Sequence, residues 1–174
     1  MRSHYPPDID TDILKAFEYC DHPATQADFF RLAYLNKMGG FYADADDRCR
    51  RSIDDLANAN AEMIVYQEEN ACIANNFIGC VPNHAAIRSA LYQAVANLLC
   101  YNNEGPWMQT GPGLLTTTLC SHLLPYLSST DYRTWPRLWV LSQEELRHYV
   151  WWAVSLPYKQ TLQNWQKAAY DGPK

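Results

Sequence analysis

With 174 residues, 48% hydrophobic and 19% charged, the chain can bury a core without disulfide staples and has the composition of one globular domain over 1–174. A net charge of −5 excludes the basic face of a nucleic-acid binder. No apolar run approaches the roughly 18 residues of a membrane-spanning helix. The opening MRSHYPPDID lacks the apolar core of a secretory signal, so the expected location is cytoplasmic, at most peripheral at a membrane. Cysteines at 20, 49, 72, 80, 100 and 120 form no CxxC pair; several sit in apolar stretches such as ANLLC, and they read as reduced thiols.

In chain order, residues 1 to 9 read as an irregular lead-in, because His4-Tyr5-Pro6-Pro7 starts a helix poorly. DTDILKAFEYC has helical spacing and stops before His22-Pro23. The next helix is predicted to open at Thr25 and to end at Gly39-Gly40, with Lys37 in its last turn. FYA reads as a short buried strand, SIDDLANANA as a short helix, and EMIVYQ and NNFIGCV as strands. HAAIRSALYQAVANLLCY is a long amphipathic helix, with apolar residues at 87, 91, 95, 98 and 99. GPGLLTTTLCSHLLPYL is a further helix and RLWVL a strand; EELRHYVWWAV fits either type, and YKQTLQNWQKAAY reads as a terminal helix. Alternating strands and helices make the class α/β.

The stretch FYADADD places Asp44, Asp46 and Asp47 directly after the glycine pair and a strand. Carboxylates this close repel one another unless a cation or basic side chains offset them. If the strand continues through D-x-D, its two-residue period puts Asp44 and Asp46 on one side, at the sheet edge where α/β proteins bind ligands. Hard oxygen ligands in this number suit Mg²⁺ or Mn²⁺. Asp47 then faces away and pairs with Arg48, Arg50 or Arg51. The competing reading is an acidic turn neutralised by that basic run. An EF-hand is a poor fit, since its glycine and glutamate positions hold Cys49 and Asp55. A DxDx[TV] phosphatase would need Thr or Val where Arg48 stands.

The longer segment DFFRLAYLNKMGGFYADAD resembles the D-x-x-R-x-x-x-L-x-x-x-G-G-x-Y-x-D-x-D signature of the DXD-containing sugar-transferases. These include fungal α-mannosyltransferases, bacterial capsule and lipid glycosyltransferases, and glucosylating clostridial toxins. Asp28, Arg31, Leu35, Gly39, Gly40, Tyr42, Asp44 and Asp46 fall in register. NNFIGCVPNHAAI and MQTGPGLLTTTL echo the family's N-x-F…P-x-H and T-G-P…L-T segments, carrying the likeness to about residue 120. The resemblance implies a GT-A-like mixed sheet flanked by helices, truncated at its N-terminus. It further implies a metal-dependent, retaining transfer of a hexose from a nucleotide sugar to a glycan, lipid or other acceptor, as in polysaccharide biosynthesis.

Residue by residue, the resemblance makes Asp28 and Arg31 sugar ligands, sets Tyr42 and Asp44 against the nucleotide, and gives the metal, Mn²⁺ or Mg²⁺, to Asp44 and Asp46. Asn76 and Ser155 join as candidate substrate contacts. The capping-box-like Thr25-x-x-Asp28 and a surface Asp28–Arg31 ion pair are the alternatives for that corner. Two departures stand out. HYVWWAVSL has Val150 and Trp151 where the family has histidines and Leu156 where it has tryptophan. The family's I-P-K-x-I-H-x-x-W strand is missing ahead of Thr25. A sheet lacking that strand exposes an edge that a partner chain or a second copy would cover. The alternative function is therefore an inactive, truncated relative that binds sugar or serves as an interaction module.

Overall fold

The computed structural model describes residues 9–100, 104–152, 154, 156 and 157; the lead-in over 1–8, Ser155 and the helix expected over 158–170 lie outside them. The elements follow as α1 (Ile9–Glu18), α2 (Pro23–Met38), β1 (Gly40–Ala43), β2 (Arg48–Cys49), α3 (Asp54–Ala57), β3 (Met63–Gln67) and β4 (Phe77–Cys80). After them come α4 (Ala85–Leu99), α5 (Pro106–Gln109), α6 (Pro112–Leu123), β5 (Leu138–Ser142), α7 (Gln143–Arg147) and β6 (Val150–Trp151). The ambiguous stretch after residue 143 thus divides into a capped turn of helix and a short strand.

Four strands form one mixed sheet in the order β1-β4-β3-β5. β1 and β4 are antiparallel, with Gly40 opposite Cys80 and Ala43 opposite Phe77. β3 is antiparallel to β4 and parallel to β5, with Met63 opposite Leu138. β2 and β6 form a separate two-residue ribbon. The central strand β3 is buried on both faces, as expected of a continuous apolar run covered on each side. Met63 and Val65 join a core with Phe29, Leu32 and Leu35 of α2, Ile87 and Leu91 of α4, and Leu115 of α6. Ile64 and Tyr66 point the other way, into a smaller core with Leu56, Phe77, Leu141 and Leu146. Ala86, Ala90 and Ala94 lie fully buried along α4, where short side chains let neighbouring helices approach.

Two expectations change. α2 opens two residues early, at Pro23, whose missing N–H costs nothing in the first turn, and the His22 ring accepts the Ala24 N–H at 3.1 Å. Thr25 therefore sits buried inside the first turn, its hydroxyl without a hydrogen-bond partner among the described residues. It does not cap the helix. Second, β1 is an edge strand: Gly40 and Ala43 are exposed and Phe41 and Tyr42 only half-buried. A three-residue aromatic run carries no signal that separates a central strand from an edge.

The turn from α2 into β1 depends on the glycine pair. Gly39 ends the helix with its N–H on Leu35 O at 2.9 Å and adopts φ 64°, ψ −156°, a region essentially reserved for glycine. A Cβ there would lie 2.7 Å from Pro82 Cδ and 2.8 Å from Cys80 O. Gly40 also has a positive φ, 91°, but a Cβ on it would meet nothing within 4 Å. Gly39→Ala is expected to cost about 3 kcal/mol or more and Gly40→Ala only about 1 kcal/mol in urea unfolding. Equal losses, or the reverse order, would refute this account of the turn.

Candidate sugar and nucleotide site

The carboxyl ends of β1 and β3 and the amino end of β4 lie at one end of the sheet, because Ala43 pairs with Phe77 in an antiparallel register. α2 runs over that end and presents Asp28 and Arg31, which are three positions apart and so share a helix face. Arg31 is only 3% exposed. A guanidinium cannot be neutralised by losing its proton, so its burial requires acceptors in every direction. It finds them. Nε donates to Ala27 O at 3.3 Å, Nη1 donates to Asn75 O, and Nη2 reaches Asp28 Oδ1 at 3.1 Å and Asp44 Oδ1 at 3.0 Å. The guanidinium also lies 4.6 Å from the centroid of the Tyr42 ring, and the Tyr42 hydroxyl donates to Asp44 Oδ1 at 2.9 Å.

Asp28, Arg31, Tyr42 and Asp44 are thus drawn together by one buried cation, not by a surface pair. Side-chain exposure rises from 4% at Arg31 through 14% at Asp28 to 30% at Asp44, so the cluster opens toward solvent on the Asp44 side. Two neighbours complete the Asp28 end: Asn75 Nδ2 donates to Asp28 Oδ1 at 2.8 Å, and the Thr110 hydroxyl also bonds this carboxylate. Burial pushes Asp28 up to about 6, with the Asp44 charge adding to it and Arg31, Asn75 and Thr110 opposing it. Burial likewise raises the Tyr42 phenol well above its usual range, keeping it a donor.

The D-x-D pair departs from the expected alternation. The strand stops at Ala43, and Asp44 to Asp47 form a turn closed by the Asp47 N–H on Asp44 O at 2.9 Å. Asp44 itself hangs on Asn76 O through its N–H at 2.9 Å. Asp46, half-buried, sits in the turn, and its carbonyl accepts the Val154 N–H at 3.1 Å. The side-by-side placement inferred from a two-residue period therefore has no basis, because residues in a turn do not alternate.

Asp47 was expected to face Arg48, Arg50 or Arg51. It turns inward instead: Oδ2 accepts from Asn76 Nδ2 at 3.0 Å and from the Asp44 N–H at 3.3 Å. Burial, then the charges of Asp44 and Asp46, push it up to about 6. The arginines go elsewhere. Arg51 reaches Asp55 at 2.5 Å and Arg50 donates to Arg147 O at 3.1 Å. Arg50 and Arg51 are thus engaged away from Asp47, while Arg31 lies against Asp28 and Asp44. Among the described residues, no three His, Cys, Asp or Glu side chains converge as a closed metal cage. The Asp44 carboxylate, 30% exposed, is a hard oxygen donor of the kind Mg²⁺ or Mn²⁺ takes when waters and substrate phosphates complete its shell, and Asp46 in the same turn carries a second group of that chemistry.

Asn76, expected to face substrate, has its amide engaged at both ends, with the Tyr66 hydroxyl donating to Oδ1 at 2.5 Å and Nδ2 donating to Asp47. The residue that joins the Asp28–Arg31 corner is Asn75, one position earlier. The roles of Thr110, Asn75, Asp47 and Tyr66 escaped the sequence reading, although Asn75 and Thr110 lie within the N-x-F and T-G-P segments.

Comparison with known proteins shows the following likenesses. Residues 1–68 match the family described as the glycosyltransferase sugar-binding region containing DXD motif. The chain is 32% identical over 84 residues to mannosyl phosphorylinositol ceramide synthase CSH1 of Saccharomyces cerevisiae, covering 48% of this chain and 20% of that protein. It is 28% identical over 137 residues to inositol phosphoceramide mannosyltransferase 3 of Schizosaccharomyces pombe, covering 74% and 36%. The chain thus spans well under half the length of these relatives. Among solved structures, PaToxG glycosyltransferase superposes with a TM-score of 0.57 at 21% identity, over 71% of this chain and 45% of that one, which establishes the shared GT-A-like fold. The segment similar to the DXD-containing sugar-binding region, residues 1–68, supplies Asp28, Arg31, Tyr42 and Asp44, the four residues that meet in this corner.

Proposed function

We propose that the chain is a glycosyltransferase domain that moves a hexose from a nucleotide-diphosphate sugar to a hydroxyl acceptor, with retention of configuration and with Mn²⁺ or Mg²⁺ at Asp44 and Asp46. The observation that carries the reading is the buried Arg31 bridge between Asp28 and Asp44. It fixes a hydrogen-bonding corner for sugar hydroxyls directly beside two carboxylates suited to a cation. Two relatives are named as mannosyltransferases or synthases of inositol phosphoceramides. A mannose donor and a lipid-borne acceptor are accordingly the first pair to test, and a lipid acceptor would place the protein at a membrane surface.

In this reading Asp28 accepts from hydroxyls of the donor sugar, while Asn75, Thr110 and Arg31 hold its carboxylate in one orientation. Asp44 is held from behind by Arg31 and Tyr42 through one oxygen. Arg31 itself is buried among protein acceptors and serves to position, not to contact, the leaving group. A divalent ion bound there supplies positive charge against the diphosphate as it departs. The bond from the sugar's anomeric carbon to the diphosphate oxygen breaks as the bond to the acceptor oxygen forms. The acceptor's proton passes to the released diphosphate, so no protein base is required.

Two outcomes follow. Asp46→Ala should lower Mn²⁺-stimulated hydrolysis of GDP-mannose by at least about a hundredfold, as expected for removal of a ligand to the ion that stabilises the leaving group. Undiminished turnover in that variant would refute the role, and donor binding without hydrolysis or transfer by the parent chain would leave a sugar-binding module. Arg31→Lys keeps the charge but cannot reach four acceptors at once. It should cost about 3 kcal/mol in urea unfolding, and unchanged stability would show that the guanidinium geometry is not needed.

A further inference from the structure

Three aspartates follow β1, and the D-x-D pattern uses two of them. The third, Asp47, stands at the end of a buried relay. Tyr66, 1% exposed on the central strand β3 with its ring 5.6 Å from that of Trp152, donates its hydroxyl to Asn76 Oδ1 at 2.5 Å. The Asn76 amide then donates to Asp47 Oδ2 at 3.0 Å, and the same oxygen takes the Asp44 N–H at 3.3 Å. The main chain repeats the fastening, with Asn76 O accepting the Asp44 N–H at 2.9 Å. On its other side the turn is held by the Val154 N–H on Asp46 O at 3.1 Å.

We propose that Asp47 is a positioning residue for the D-x-D turn, tying Asp44 and Asp46 to the rigid centre of the sheet through Asn76 and Tyr66. The inference rests on the transferase reading for its purpose but on hydrogen-bond geometry for its content. A four-residue turn at a sheet edge, carrying mutually repelling carboxylates, has little of its own to fix its shape. A carboxylate that accepts both the turn's first N–H and a side-chain amide anchored on a buried tyrosine supplies that fixation. The same logic holds for groups behind metal ligands generally, whose loss weakens metal binding by roughly tenfold to a hundredfold.

The test uses the full chain, with amide hydrogen exchange at Asp44 and Mn²⁺ affinity measured by electron paramagnetic resonance in the presence of GDP. Asp47→Ala should speed Asp44 exchange by roughly tenfold, the worth of a hydrogen bond to a charged group, and weaken Mn²⁺ binding by roughly tenfold or more. Tyr66→Phe, which deletes one hydroxyl at the far end of the relay, should move both readouts the same way but less. Asp47→Asn keeps an oxygen acceptor and should recover most of the exchange protection. Asp44 exchange as slow in Asp47→Ala as in the parent would overturn the proposal. So would Mn²⁺ binding lost equally in Asp47→Asn and Asp47→Ala while Tyr66→Phe binds normally, since that pattern marks a direct ligand. If Asp47→Ala does not fold, the Tyr66→Phe exchange result decides. A parent chain that binds no Mn²⁺ would count against the transferase reading, while the exchange arm would still judge Asp47.

Discussion

A guanidinium taken out of water is the constraint around which the functional end of this protein is arranged. Arg31 cannot discharge itself, and desolvating it unpaired would cost several kcal/mol. The chain answers with two carboxylates, two main-chain carbonyls and an aromatic face, drawn from α2, the edge strand and its turn, and the loop before β4. Those segments are distant in sequence. Satisfying one cation brings them into a single corner, so the arrangement of the candidate site is also a condition for burying the middle of α2 at Arg31.

The consequence is preorganisation. Asp28 and Asp44 are held with defined oxygens before any ligand arrives, and Arg31 offsets part of the repulsion that their proximity creates. Burial still lifts Asp28 toward neutral pH, which shows that desolvation outweighs the help from Arg31 at that position. Three carboxylates, those of Asp44, Asp46 and Asp47, gather on the turn at the more exposed side of the corner. A cation bound on that side would complete the balance that Arg31 begins. The turn, for its part, is gripped by Asn76, just ahead of β4, and by Val154, beyond β6, so its shape does not depend on that cation alone.

Much of this was legible in the sequence where the physics is local. The i, i+3 spacing of Asp28 and Arg31 dictates a shared helix face. Gly39-Gly40 marks the end of α2 and a conformation other residues avoid, and the apolar run over 63–66 marks a strand buried on both sides. What the sequence concealed is non-local or depends on where regular structure stops. Alternation does not extend past Ala43, where the strand gives way to a turn, and Asp47 therefore faces Asn76 and not the arginines. Asn75 and Asn76 are equivalent to any composition argument, and it is the folded path ahead of β4 that sends the first to Asp28 and the second to Asp47. The two-residue ribbon of β2 and β6 joins positions about a hundred apart with no periodic signal at either end.

The claim that Arg31 couples the two carboxylates can be measured without substrate. A double-mutant cycle of Asp28→Asn and Asp44→Asn, read by urea unfolding at neutral pH, isolates that coupling. While either carboxylate remains, the guanidinium keeps a charged partner; with both removed it is buried without one. The double variant should therefore lose at least about 1 kcal/mol more than the sum of the single losses. Additivity to within roughly 0.3 kcal/mol would contradict the account, because sites that share no partner behave that way.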